Sequence, residues 1–115
     1  MSAPPTPAGA PERLVEMSAD VRAAVLVDPA GGLLSASGTD RARARRMAGL
    51  AHDLLAAADA ASGPNEHVEA LTGAGAVFAV RDARHTLACV TRRLALPALV
   101  LYDMRQTLLA LGEEA

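Results

Sequence analysis

The sequence predicts an α+β domain: a five-stranded antiparallel sheet with one long helix on one face and two helices on the other. Residues 40–61 repeat apolar side chains at helical spacing, over a length that indicates one long amphipathic helix. Two short apolar stretches precede this helix and three follow it, and turn residues separate them as they separate strands. A short helix at each end completes the order α-β-β-α-β-β-β-α.

The N-terminal part is predicted to be a tail followed by a helix. Residues 1–10 are rich in Pro and Ala and cannot bury an apolar face, so we expect them to be disordered. Residues 11–115 then form a single domain. Pro11 suits the first position of a helix and Glu12 its first turn, which predicts a helix from Pro11 to about Ala19.

A β-hairpin is predicted next. Residues 22–28 form a nearly continuous apolar run that is too short for a helix and indicates a strand covered on both faces. An Asp, a Pro and two glycines follow within residues 28–32, and the chain returns over residues 33–38. We interpret Asp28 as a turn former and not as a catalytic or metal-binding acid, because Asp commonly bonds the backbone of its own turn.

The long helix has a predicted start, end and buried stripe. Asp40 can cap its start, and the Ser-Gly-Pro sequence of residues 62–64 ends it. The stripe expected to rest on the sheet consists of Met47, Leu50, Ala51, Leu54, Leu55, Ala58 and Ala61. Asp53 and Asp59 are expected on the exposed side, in contact with solvent.

The outward face of this helix carries two further features. A seam of small residues would let a second helix approach closely, and Gly49 within it costs about 1 kcal/mol relative to Ala. The alternative, that the seam only reflects the abundance of Ala, stays open. The seam consists of Ala42, Gly49, Ala56 and Ala60.

Four arginines crowd the first turns of the same helix. They repel one another and the positive end of the helix dipole, so an acidic partner surface would offset them. The alternative is a solvated face that is paired within a dimer, for example Arg46 with Asp53 of a neighbouring helix. The predicted partner-binding residues are Arg41, Arg45, Arg46 and His52.

Residues 67–73, 76–82 and 86–92 are predicted to form an antiparallel meander. The first of these strands would be a sheet edge without Pro, Lys or an obvious bulge, and an unguarded edge invites pairing that a symmetric dimer would satisfy. The predicted dimer contacts in this strand are His67, Val68, Glu69, Ala70 and Leu71.

The closing helix is predicted to run from Pro97 to about Leu111. Leu99, Tyr102 and Leu109 fall outside its main apolar arc, so we expect it to contact a second neighbour, most simply the first helix.

Several kinds of chemistry are excluded or unsupported. The chain has no lysine, so it cannot contain a P-loop, and it has no Gly-x-Ser-x-Gly motif. His52, His67 and His85 belong to three different elements without a partner at metal-ligand spacing, and Cys89 lies in an apolar strand pattern. We therefore expect no enzyme, no cofactor and no metal.

Charge and hydropathy point to a protein of the cytoplasm. A net charge of −2 and the scarcity of aromatic residues argue against nucleic-acid binding. No signal-peptide pattern and no apolar run of membrane-spanning length is present, so we expect a cytoplasmic location.

The element order and the hairpin together resemble the roadblock family, which is named for a dynein light chain. The likeness covers roughly residues 11–111: the hairpin with Asp28, its turn glycines and a small residue before a Ser, then the long helix, the meander, and a final helix with Met104 and Arg105. Profilin-like and longin-like domains share part of this order.

The resemblance implies a function. Such domains form homodimers in which the strand at residues 67–73 pairs with its mate and the two long helices lie side by side. Bacterial members bind small Ras-like GTPases on that helix face and can speed hydrolysis by reshaping the GTPase's own residues, without an arginine finger. Related proteins are encoded beside a GTPase and a sensor kinase.

Two functions are therefore expected from different classes. The first is a non-enzymatic homodimeric adaptor that binds and regulates a small Ras-like GTPase, as scaffold or activating partner. The alternative is a profilin-like small-ligand sensor domain of a signalling system, which an apolar pocket lined by His85 or Asp28 would support.

Overall fold

The computed structural model describes residues 6–73 and 75–113 of the 115-residue chain. Its three helices and five strands follow the predicted order, and the strands differ from the predicted ranges only at their ends. The elements are α1 (Ala10–Met17), β1 (Val21–Val27), β2 (Leu33–Ser37), α2 (Arg41–Ser62), β3 (His67–Leu71), β4 (Gly75–Arg81), β5 (Thr86–Arg92) and α3 (Pro97–Glu113).

The five strands form one antiparallel sheet in the order β2-β1-β5-β4-β3. The β1–β2 hairpin depends on Asp28, whose Oδ1 accepts hydrogen bonds from the backbone N–H groups of Ala30 at 2.9 Å and Gly32 at 2.8 Å. The interpretation of Asp28 as a turn former is confirmed. Because β1, β5 and β4 lie inside the sheet, the terminal strands are β2 and β3, as expected for β3.

Two apolar cores lie on the two faces of the sheet. Strand side chains alternate between the faces, so Val25 and Val27 of β1 contact α2, whereas Ala24 and Leu26 contact the layer of α1 and α3. The predicted fold class, with α2 on one face and two helices on the other, is confirmed.

The ends of α2 follow their predicted signals. Asp40 Oδ1 accepts a hydrogen bond from Arg43 N at 2.8 Å, which satisfies a free N–H group of the first turn. Gly63 ends the helix at φ 86°, a conformation that favours glycine, and its N–H bonds the carbonyl of Asp59 at 2.8 Å.

The predicted buried stripe of α2 is partly wrong. Leu50 is 47% exposed and Ala61 is also exposed, whereas Met47, Leu54 and Ala58 are only half-buried. The helix instead turns its smallest side chains toward the sheet, where Val25, Val27, Ala79 and Ala88 meet it, because alanines allow the helix backbone to lie close to the strands. The buried residues of α2 are Ala44, Ala48, Ala51 and Leu55.

The N-terminal helix begins earlier than predicted. Residues 1–5 of the predicted disordered tail lie outside the described residues. Ala10, which was assigned to the tail, is the first residue of α1 and is fully buried. The preceding turn contacts β2 through Ser35, whose hydroxyl donates to the carbonyl of Pro7 at 2.5 Å.

The predicted contact between α3 and α1 exists, but it does not involve the residues on which the prediction rested. The two helices do lie side by side, with Thr107 Oγ1 placed 3.7 Å from Met17 Sδ. However, α1 approaches α3 from the side of Thr107, so Leu99, Tyr102 and Leu109 each remain 60% exposed.

Candidate interaction surfaces and a polar cavity

The seam of small residues lies on an uncovered face of α2. Ala42, Ala56 and Ala60 are exposed, and Gly49 is half-buried. A Cβ atom built on Gly49 would contact no atom of another element within 4 Å, so none of the residues that the structure describes occupies the space above it. The seam is therefore open to another helix, although the structure holds only one chain.

The arginines at the start of α2 all point to solvent. Arg43 forms an exposed ion pair with its own cap residue Asp40 at 3.5 Å, which contributes little to stability. Arg41 and Arg45 line one depression of about 370 Å³ together with the glycines of the β1–β2 turn. Two of the predicted partner-binding arginines thus share this depression with the β1–β2 turn, which the sequence did not connect with them.

Strand β3 presents a free edge and two unlike faces. It pairs with β4 on one side only, because it ends the sheet. Val68 and Ala70 are half-buried on the side of α2, whereas His67, Glu69 and Leu71 are exposed on the other side. His67 Nδ1 lies 3.2 Å from Arg105 Nη2 of α3.

Asp59 is not the solvated residue that the sequence suggested. Its carboxylate accepts two hydrogen bonds from Arg81 Nη2, at 2.5 and 2.6 Å, and one from Asn65 N at 2.8 Å. The Arg81 guanidinium, followed by the Asn65 N–H, holds the pKa of Asp59 below its ordinary value. Asp53, six residues earlier, is exposed as expected.

A polar cavity of about 390 Å³ lies between α2 and the turns at one end of the sheet. His52 and His85 both line it, although they belong to different elements and were expected to be unrelated. Arg81, Asp59 and Asp82 line it as well. The sequence placed His52 with the arginines of α2, whereas the structure groups it with the cavity.

Cys89 is a core residue, as its apolar strand pattern predicted. Cys89 is fully buried, and burial raises the pKa of its thiol to about 12, so it is an inert core residue. Within residues 6–73 and 75–113, no group of three or more His, Cys, Asp or Glu side chains could hold a metal ion. None of the helices described there is long and apolar enough to cross a membrane.

The similarity of this chain to known proteins is found by comparing structures and not by comparing sequences. No protein-family model matches it, and neither does any curated protein. A Roadblock/LC7 domain from Streptomyces avermitilis matches with a TM-score of 0.82 and 23% identity, over 91% of this chain and 93% of that chain. An MglB protein with a tetrameric arrangement matches at 0.76 and 16%, over 90% and 83%.

Profilin II from Acanthamoeba castellanii is also similar, at a lower TM-score of 0.64 and 14% identity, over 95% of this chain and 99% of that chain. The higher scores belong to the roadblock structures. The chain therefore has the roadblock/LC7 fold, as the resemblance in its sequence predicted.

Proposed function

We propose that this protein is a non-enzymatic, homodimeric adaptor of the cytoplasm that binds and regulates a small Ras-like GTPase. The observation that carries the proposal is the uncovered outer face of α2, where small residues leave open space above Gly49. A long helix with such a face is a natural contact for an identical helix, and the roadblock fold supports that reading.

The proposed dimer joins two protomers through β3 and α2. Two β3 strands pair antiparallel about a two-fold axis, so that each satisfies the free N–H and C=O groups of the other. The predicted contacts His67 to Leu71 lie on this edge, and the seam of Ala42, Gly49, Ala56 and Ala60 then faces its mate. The tetrameric arrangement of an MglB protein is a precedent for self-association on this fold.

The proposed GTPase contacts lie at the start of α2. Arg41 and Arg45 line one depression, Arg46 is exposed beside them, and Arg43 is already paired with Asp40. An acidic surface on the GTPase would complement Arg41, Arg45 and Arg46, and electrostatic complementarity raises association rates and selects partners. A sensor kinase is a further proposed partner of the assembly.

The experiment is a pull-down of small Ras-like GTPases from the same organism, in their GTP-bound and GDP-bound states, beginning with any that a neighbouring gene encodes. We expect binding that depends on the nucleotide, and a changed rate of GTP hydrolysis when the protein is added. The protein alone is expected to hydrolyse no GTP. Failure to bind any such GTPase in either state would overturn the proposal.

The cavity lined by His85 keeps the small-ligand sensor as a second candidate function. Its lining is polar, whereas the sensor hypothesis called for an apolar pocket. A thermal shift produced by a metabolite, together with none produced by a GTPase, would favour the sensor over the adaptor.

A further inference from the structure

Two histidines from separate parts of the chain share one cavity. His52 projects from α2, and His85 lies in the turn between β4 and β5. The cavity volume of about 390 Å³ is within the range of small-ligand pockets, roughly 300–1,000 Å³. Leu55 and Pro29 add apolar surface to the same cavity. Its size and mixed lining therefore suit a small polar molecule.

The local backbone positions the two residues that carry these imidazole rings. Gly31 has φ 95°, and a Cβ atom there would lie 3.1 Å from Cγ of His52, so only glycine lets the ring rest against this turn. Asp82 Oδ1 accepts hydrogen bonds from the N–H groups of Arg84 and His85, both at 2.8 Å, and thereby fixes the turn that carries the second ring.

The carboxylates of the cavity are already engaged. Asp59 accepts hydrogen bonds from Arg81 and Asn65, and Asp82 accepts the two backbone N–H groups of its turn. The charge of Asp59 is thus paired with an arginine, and one oxygen of Asp82 is occupied by backbone N–H groups. These two acids do not need a bound cation to satisfy them.

The groups that remain free are mostly donors. Across the described residues, neither ring of His52 and His85 forms a hydrogen bond, and the same is true of the hydroxyl of Thr86. Arg81 uses Nε and Nη2 for Asn65 and Asp59, which leaves Nη1 without a hydrogen-bond partner there. Imidazole, hydroxyl and guanidinium groups can all donate, whereas phosphate and carboxylate oxygens accept.

We propose that this cavity is an oxyanion-binding site that takes the carboxylate or phosphate group of a small ligand. His52 and His85 contact the oxyanion, Arg81 donates through its remaining Nη1 N–H groups, and Pro29 contacts the carbon part of the ligand. This proposal does not depend on dimerisation or on a GTPase, since every group in it belongs to one chain.

The test is an NMR titration of the full chain with inorganic phosphate at constant ionic strength and constant pH. We expect the ring resonances of His52 and His85 to shift together, while those of His67 outside the cavity stay unchanged. This comparison needs no variant. Equal shifts of all three histidines, or none, would overturn the site.

Variants locate the binding more sharply. Replacing both histidines, His52→Ala with His85→Ala, should weaken phosphate binding about tenfold or more. The matched control, Arg41→Ala with Arg45→Ala, removes two exposed cations outside the cavity and should leave the affinity unchanged. An unchanged affinity in the histidine variant, with loss in the arginine variant, would instead assign the phosphate to the start of α2 and refute the site.

A last arm identifies the source of the oxyanion. If an acidic side chain of a partner protein occupies the cavity, saturating phosphate and the double histidine variant should both weaken binding of that partner. If the ligand is a free small molecule, phosphate should leave partner binding unchanged. Either result keeps the oxyanion site, provided that phosphate shifts the two rings as expected.

Discussion

Arg81 of β4 donates through Nη2 to both carboxylate oxygens of Asp59, which lies near the end of α2. The same guanidinium donates through Nε to the carbonyl of Asn65 at 2.8 Å, and Asn65 N donates to Asp59 Oδ1 at 2.8 Å. One cation thus connects the end of the helix, the chain that leads into β3, and the neighbouring strand. We infer that this network sets the position at which the free edge of β3 begins.

Replacing Asp59→Asn should lower the free energy of unfolding, because Arg81 loses the negatively charged partner of its ion pair. The effect should depend on pH. The pKa of Asp59 is lowered in the folded state, so its contribution is fully present above the unfolded-state value of 3.8 and is lost as the pH falls through the folded value. Urea denaturation at about pH 7 and about pH 2.5 should show a difference between wild type and variant that shrinks in acid.

The matched control is Asp53→Asn, which removes a carboxylate from the same helix at an exposed position. Its urea midpoint should stay close to that of the wild type at both pH values. A control that loses as much stability as Asp59→Asn would show that general helix charge, and not the contact with Arg81, causes the effect.

The orientation of α2 predicts opposite behaviour for two neighbouring leucines. Leu55 is 2% exposed, so Leu55→Ala should lower the free energy of unfolding by about 3 kcal/mol through lost burial and a cavity. Leu50 is 47% exposed, so Leu50→Ala should cost less than about 1 kcal/mol. Chemical denaturation measures both, and an equal cost would mean that the helix rests on the stripe expected from its sequence.

The seam on α2 predicts a selective loss of self-association. Gly49→Leu or Ala56→Leu should weaken the proposed dimer, since the added side chain fills space that a second helix would need. The monomer should accommodate the change at Gly49, because a Cβ atom built there meets no described atom of another element within 4 Å. Ala57→Leu, at an exposed position outside the seam, is the control. Sedimentation velocity compares the dimer content, and three equal dissociation constants would rule out the seam.

The arginine cluster predicts charge-dependent partner binding. Arg41→Glu combined with Arg45→Glu should lower the affinity for the GTPase about tenfold or more and reduce its salt dependence, without changing the melting temperature. Arg93→Glu is the control, since Arg93 is exposed in the segment between β5 and α3. If both changes had the same effect, net charge and not a docking surface would explain the binding.

Local sequence signals were sufficient for the elements of this fold. Asp28 and Asp40 act on backbone groups within four residues of themselves, so the turn and the helix cap could be predicted from short patterns. The stripe of α2 could not, because the helix contains more alanines than leucines. The prediction placed Leu50 against the sheet because it is the more hydrophobic residue. In the structure Ala44 and Ala48 lie there instead, because small side chains allow close packing of the helix on the sheet.

The long-range contacts of the site were beyond such reasoning. Asp59 and Arg81 are 22 residues apart and belong to different layers, so neither local sequence pattern predicts their ion pair. His52 and His85 likewise meet only because α2 crosses the sheet near the β4–β5 turn. The sequence does contain an Asp near the end of α2 and an Arg at the end of β4. These two residues can be recognised as an ion pair only when the fold shows that the two ends lie close together.

The central claim is that two copies of this chain associate through the free edge of β3 and the open face of α2. Size-exclusion chromatography with light scattering at micromolar concentration tests it most directly, because the chain mass is 11.8 kDa. We expect a species of about twice that mass, and we expect Gly49→Leu to convert it toward the monomer. A strictly monomeric wild-type protein at 11.8 kDa would contradict it.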